Sequence, residues 1–433
     1  MMRVLYLTCI AIFLVNLTAC ERPAYKYKDE REEKAEKAHK RKAPINIGVV
    51  WDSRSQSLFF EGARFAAQEL NARGGILGRR VNLIERDEAV YLQAGFFEFS
   101  KKMRNHAQFA ARTVAEELAK NTDVVAVVGH TISETSIAAS ITYEYFGLLY
   151  LGPGATNIEL TRHNFMYTFR LIPDNYQESK QLAGYIYYSL EKKKIVVLYD
   201  RTEYSTQVAE SFAETIADMQ LDADIVYRRS FFKTKKSFKD IMSDLKGLEF
   251  DVVFVATNEE TGSRILKEAR NMGIKHPVVG VNLMYHPRLI ELAGDTAEGF
   301  SVPAPFNESF NLARGFINRF RKQYDVKPDA WAAQAYDSIM LLAYIIEKSD
   351  STVPIVLSTQ LRYMEPYWLG VTGPHAFTKD GEISGKQYSF YTVHQGKFEL
   401  IPGANVPFIL ELIKFNENKS ALLELEEQDT KGN

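Results

Sequence analysis

Two hydroxyl-bearing turns, one helix apart, are the places where this chain has the residues for chemistry. The apolar run Val124–Val128 ends at Gly129 and leads to Thr131 and Ser133, and the run Leu148–Leu151 ends at Gly152 and leads to Gly154 and Thr156. Between them Ser133–Tyr145 has the pattern of a helix, which makes the segment a β-loop-α-β-loop-α unit. Such units set their strands parallel and bring both loops to one edge of the sheet. Hydroxyls and unpaired backbone N–H groups at two neighbouring helix starts suit a small anion such as a carboxylate. Two other readings fit the same residues: Ser133 as an N-cap, and Thr156 with Glu159 as a T-x-x-E capping box. His130, beside the first loop, reads as a turn residue.

Nothing in these turns supplies a reaction. The eight histidines show no metal-ligand spacing, and no P-loop, G-x-G-x-x-G or G-x-S-x-G is present. S-x-x-K occurs at Ser189, Ser230 and Ser243 without partner motifs. A net charge of −2, with basic and acidic residues interspersed, gives no footprint for nucleic acid. The expectation is a binding protein, not an enzyme, with no cofactor and no metal.

The elements that must position the loops alternate regularly from Ile45 onward. Strand Ile45–Trp51, a helix over Phe59–Ala72, strand Val81–Glu85 and a helix over His106–Lys120 precede the segment above. A second series follows: strand Ile195–Tyr199, helix Thr206–Met219, strand Ala223–Tyr227, helix Ser237–Lys246, strand Val252–Ala256, helix Gly262–Met272 and strand Val278–Val281. Two such runs predict an α/β protein of two doubly wound, parallel-sheet lobes. The 433 residues, 46% of them hydrophobic, are enough for two large cores. Ala89–Phe109 interrupts the rhythm and carries five aromatic residues; it reads either as a functional loop or as a small extra helix over the sheet.

The amino terminus has the pattern of a targeting signal. Arg3 is followed by the apolar run Val4–Leu17, too short for a comfortable membrane span, and then by Leu17-Thr18-Ala19-Cys20. That ending resembles the bacterial lipobox, which implies a signal peptide over residues 1–19, acylation of Cys20 and attachment to a membrane of the bacterial envelope. With Cys9 removed and Cys20 acylated, no disulfide is left to form. Residues 21–44 contain nine Lys/Arg and six Asp/Glu, and they read as a charged tether too poor in apolar surface to fold alone. Residues 413–433 read as a charged tail.

Several blocks in the right order resemble the Leu/Ile/Val-binding family of type 1 periplasmic solute-binding proteins of ABC importers. They are EGARFAAQELNARGGILGRRVNLI from Glu61, GPGATNIELT from Gly152, DVVFVATNEETGSRILKEARNMGIKHP from Asp251, AAQAYDSIMLLAYII from Ala332 and VTGPHAFTKDGE from Val371. The resemblance covers about residues 45–400. It implies two lobes, 45–172 with 305–373 and 173–304 with 374–412, which are joined by three crossovers near Ile172–Pro173, Pro303–Pro305 and Gly373–His375 and close on a small-molecule ligand. It also implies a periplasmic or extracellular location and a permease partner. Ser133 and Thr156 match the residues that hold the ligand carboxylate, Gly154 matches a position whose carbonyl faces the ligand ammonium, and Tyr204 matches the aromatic residue of the second lobe. At Asn282, in VVGVNLMYHP, the family's amino-acid binders carry an acid, and Asn258 stands where an aromatic residue is common. An amide supplies no charge to offset a buried ammonium. Either Glu259, Glu260 or Asp52 reaches in, or the ligand is another carboxylate. A docking or regulatory lipoprotein of the envelope, using the fold without transport, is the alternative reading.

Overall fold

The computed structural model describes residues 23–93 and 106–404. The signal peptide, Cys20, residues 94–105 of the aromatic-rich stretch and the 413–433 tail lie outside the described residues. Two compact units are present: the described residues within 1–172, 324–370 and 374–385 form the first, and those within 173–323, 371–373 and 386–433 the second.

In the first unit, β1 (Ile45–Trp51), β2 (Val81–Asp87), β3 (Val124–Gly129), β4 (Leu149–Gly152) and β5 (Thr168–Arg170) form a parallel sheet in the order β2-β1-β3-β4-β5. Every residue of β3 is buried, which is why its sequence is an unbroken apolar run and not an alternating one. Helices α2 (Phe59–Ala72) and α13 (Ala330–Ser349) pack together, as do α4 (His106–Lys120) and α5 (Ser133–Tyr145). Val114, Leu118, Tyr143, Leu148 and Tyr150 belong to the core beneath the second pair. The short α3 (Glu88–Gln93) begins directly after β2, so the described start of the aromatic-rich stretch is helical.

The second unit repeats this strand order. Its parallel core is built from β6 (Lys194–Asp200), β7 (Asp224–Phe231), β8 (Val252–Ala256), β9 (Val278–Gly280) and β10 (Ser301–Ala304), in the order β7-β6-β8-β9-β10. An antiparallel hairpin, β14 (Ser389–His394) and β15 (Lys397–Leu400), extends the sheet beyond β10. In both units the strand order reverses beside the first strand of the series. Ligands of such sheets collect at the carboxyl ends of the strands flanking that reversal.

Two segments group differently from the lobe boundaries expected from sequence. Residues 305–323 belong with the second unit. There the Tyr391 hydroxyl donates to the Phe306 carbonyl at 2.8 Å and accepts from the Glu308 N–H at 3.3 Å. Residues 374–385, with strands β12 (Gly373–Phe377) and β13 (Ile383–Ser384), belong with the first. The Arg170 N–H donates to the Gly381 carbonyl at 2.9 Å, and the Phe169 and Phe377 rings meet edge to face at 5.3 Å.

The larger correction concerns the charged tether. Pro23–Arg41 is a helix, α1, and it is docked on the first unit. Tyr27, Arg31 and Ala35 form its inner stripe at successive i, i+4 positions. The Tyr27 ring meets Phe146 at 5.3 Å, and Ala35 is buried. Arg31 is only 2% exposed and donates to the carbonyls of Val124 (3.1 Å), Phe146 (2.7 Å) and Ala119. Burial lowers its guanidinium to about 10, still far above neutrality, so the buried group stays charged. Lys34 adds a hydrogen bond to the Thr122 hydroxyl at 2.7 Å. The composition of this segment is correctly read as poor in apolar surface; what docks it is one cation on three carbonyl groups, at the ends of α4 and α5 and at the start of β3. Arg31→Ala should therefore lower the unfolding free energy by about 2–3 kcal/mol, the cost of leaving such buried groups unmet. Denaturant melts check this, with Lys37→Ala on the exposed face as a control that should change little.

Candidate functional site

The carboxyl edge of the first sheet gathers four loops. After β1 the chain turns through Asp52, whose N–H donates to the Thr131 hydroxyl at 2.7 Å and so ties the β1 loop to the β3 loop. The Trp51 indole donates to Ser55 at 3.0 Å and Ser57 at 2.8 Å, and its ring stacks on Phe59 at 3.8 Å. After β3, Gly129 (φ +137°) and His130 (φ +57°) turn the chain sharply into α5. The β-carbon of any other residue at 129 would lie 1.9 Å from the Val50 carbonyl oxygen, so only glycine fits there.

A buried hydrogen-bonded cluster fixes that turn. His130 is fully buried, with Nδ1 2.7 Å from Glu88 Oε1 and Nε2 2.9 Å from the Tyr143 hydroxyl. The other Glu88 oxygen accepts from the Thr131 N–H at 3.2 Å. Burial works to raise the Glu88 carboxyl, but His130 and the donors of Thr131 and Thr135 hold it below the ordinary glutamate value. His130 is a turn residue, as expected, and also the link between the loop and the core.

Ser133 and Thr156 are brought together. The Ser133 hydroxyl oxygen accepts from the backbone N–H groups of Thr156 and Asn157, both at 3.1 Å. Ser133 is the first residue of α5; the N-cap is Ile132, which has no capping side chain. The capping box does not form either: the Glu159 N–H donates to Asn157 Oδ1 at 2.9 Å. The Thr156 hydroxyl makes no hydrogen bond among the described residues. On its other side the same loop is anchored by Arg170, fully buried at the end of β5, which donates to the Ala155 carbonyl at 2.6 Å and to Glu382 at 2.8 Å. Gly154 packs so closely that a β-carbon would come within 2.7 Å of the His130 and Thr131 carbonyl oxygens.

In the second unit Tyr204 and Asn282 also meet, around a residue that sequence reasoning missed. Glu178 lies on α7 (Asn175–Gly184) and is fully buried. One of its oxygens accepts from the Asn282 N–H at 2.7 Å, the other from Asn282 Nδ2 at 2.5 Å. The Tyr204 hydroxyl, on α8 (Glu203–Asp218), lies 3.1 and 3.0 Å from the two oxygens and 3.2 Å from Asn282 Nδ2. Burial raises the Glu178 carboxyl to about 7 against the pull of these donors, and it pushes the Tyr204 hydroxyl well above its usual value. A signal was present: Asn175, Glu178, Leu182 and Tyr185 recur at helical spacing, which puts a glutamate on a buried stripe.

Two of the three other acids considered for this role are paired with neighbouring arginines. Asp52 pairs with Arg54 at 2.5 Å, Glu260 pairs with Arg264 at 3.5 Å, and Glu259 starts the helix α10 (Glu259–Asn271). Asn258 is the N-cap of α10, its Oδ1 accepting from the Thr261 N–H at 3.2 Å. The neighbouring Thr257 hydroxyl donates to Asp200 at 2.7 Å and ties the β8 loop to the β6 loop.

Residues 108–397 match a family described as periplasmic binding protein. The chain is 26% identical to the leucine-specific-binding protein of Salmonella typhimurium over 336 residues, covering 77% of this chain and 85% of that one. It is 23% identical to the Leu/Ile/Val-binding protein of Escherichia coli over the same shares of the two chains. Among solved structures, an ABC transporter substrate-binding protein from Desulfitobacterium hafniense in complex with Leu is similar, with a TM-score of 0.71 and 30% identity, over 83% of this chain and all of that one.

The loop geometry gives different expectations for the two hydroxyls. Thr156→Ala removes a group with no other partner among the described residues, so it should weaken a carboxylate ligand by about 1.5–3 kcal/mol with little change in stability. Ser133→Ala should weaken it by a similar amount and also lower the melting temperature, because two loop N–H groups lose their acceptor. Calorimetric titrations and thermal melts on both variants separate the two effects.

Proposed function

The chain belongs to the periplasmic binding protein family, and from that premise we propose that it is the solute-binding lipoprotein of an ABC importer, capturing a small carboxylate or amino-acid-like ligand. The observation that carries the reading is the pairing of Ser133 with the Thr156 loop. Two loops from adjacent strands are locked to each other by a hydroxyl that accepts twice, while the Thr156 hydroxyl has no hydrogen-bond partner among the described residues. The N–H groups at the start of α5 and these two hydroxyls form a set of donors suited to one anionic group.

In this reading Ser133, Thr156 and Gly154 hold the carboxylate end. Tyr204 and Asn282 are the candidate ligand residues of the second unit, and Asn258 acts through the helix it caps. Acylation of Cys20 attaches the chain to the envelope, and the permease is its protein partner. The protein binds and releases its ligand without transforming it. The relatives named for leucine and for Leu/Ile/Val support an amino-acid-like ligand, whereas Asn282 in place of an acid supports a wider class of carboxylates.

Native mass spectrometry of the purified protein should find a co-purified small carboxylate. A thermal-shift panel of amino acids and simple carboxylates should contain a member that stabilises the protein by about 2.7 kcal/mol at a hundred times its dissociation constant. A panel in which no carboxylate of either kind raises the melting temperature would remove the proposal.

A further inference from the structure

We propose that Glu178 is a positioning residue that locks the Asn282 amide with its carbonyl oxygen outward, so that the second unit recognises a hydrogen-bond donor on the ligand, an ammonium or an amide N–H. This inference rests on the solute-binding reading and narrows the class of ligand within it.

The argument is one of polarity. An ionised carboxylate only accepts hydrogen bonds. Asn282 meets Glu178 with its backbone N–H and with Nδ2, and Nδ2 also lies 3.2 Å from the Tyr204 oxygen. Turning the amide over would set Oδ1 against the carboxylate, acceptor against acceptor. Both amide hydrogens are therefore taken up inside the protein, and Oδ1 is the atom left over. It makes no hydrogen bond among the described residues, and Asn282 retains 9% of its surface exposed. The residue opens a single helical turn directly after β9, at the carboxyl edge of the sheet. The negative charge expected at position 282 is thus present one layer further in, behind a neutral amide that it polarises.

The proton occupancy of Glu178 controls this arrangement. The groups facing it are Tyr204 from α8 and Asn282 from the turn after β9; Asp200 at the end of β6 and Tyr388 act on Tyr204. No basic side chain is paired with it among the described residues. With the carboxyl raised to about 7, acidification adds an O–H that donates to a turned-over Oδ1. The amide then presents N–H outward and opposes a donor on the ligand. Only the ionised form binds such a ligand, so apparent affinity is half-maximal near pH 7, approaches its full value above that and falls as pH drops below it.

Calorimetric titrations with matched pairs, L-leucine against 4-methylpentanoate and L-phenylalanine against 3-phenylpropanoate, isolate the amino group. The amino member of the binding pair should bind at least tenfold more tightly at pH 8.5, and about 30-fold more weakly at pH 5.5 than at pH 8.5. Glu178→Gln should remove the preference for the amino member and flatten the pH profile, with a melting curve to confirm folding; the wild-type profile is decisive even if that variant fails to fold. Equal or tighter binding of the deaminated acid, with Thr156→Ala weakening both members, overturns this inference and leaves the solute-binding reading intact. So does a pH profile that persists in Glu178→Gln. Absence of binding by either member of either pair, with the wider panel of amino acids and carboxylates also without effect, overturns both.

Discussion

An ionised group withdrawn from water must be met by hydrogen-bond partners of the opposite polarity, and the special geometry of this protein follows from that requirement. Glu178 is met by an asparagine and a tyrosine, Glu88 by a histidine and a threonine N–H, and Arg170 and Arg31 by backbone carbonyls with one acid between them. Each of these groups is buried, and each joins segments distant in sequence. Apolar packing forms the two sheets and their helices, but it does not specify the path of a loop. The buried ions do, because their partners must lie within about 3 Å along fixed directions.

The strand order explains where those loops collect. Both parallel cores run in the same pattern, with the first strand of each series second from one edge of the core. At each reversal a hydroxyl bridges the flanking loops: Thr131 receives the Asp52 N–H in the first unit, and Thr257 reaches Asp200 in the second. The resemblance between the units therefore extends past the sheets to the way their carboxyl edges are tied.

Most of the strands and helices were legible because their patterns are strong. Continuous apolar runs such as Val252–Ala256 give fully buried strands, and Phe59–Ala72 shows its inward face at helical spacing. What escaped was decided by single polar residues. Glu178 looks like any glutamate until Asn175, Leu182 and Tyr185 are seen to share its face. Helix α1 is read as a solvated tether because twelve of its nineteen residues are charged, and no sequence pattern shows that one of them, Arg31, meets the carbonyls of Val124, Phe146 and Ala119. The pairing of Ser133 with Thr156 was legible from the β-loop-α repeat, but the acceptor role of its hydroxyl was not. That role depends on two N–H groups 23 and 24 residues away converging on one oxygen.

A polar side chain whose protein-facing atoms are all engaged has only one polarity left to offer, and this rule assigns directions to the candidate residues. A serine hydroxyl has two lone pairs and one hydrogen. With Thr156 and Asn157 donating to the Ser133 oxygen, its lone pairs are used and its hydrogen must point elsewhere, so Ser133 offers a donor. The amide of Asn282 is the converse case: both of its hydrogens face Glu178 and Tyr204, and what it offers is an acceptor. In neither residue does the side chain's own chemistry fix the choice, because serine and asparagine each accept and donate in water. The scaffold makes the choice, through loop N–H groups in the first unit and a buried carboxylate in the second. The first of these is insensitive to pH, since backbone amides do not titrate near neutrality. The second is set by a carboxyl held near 7 by its burial, so of the two polarities only the acceptor is subject to the proton.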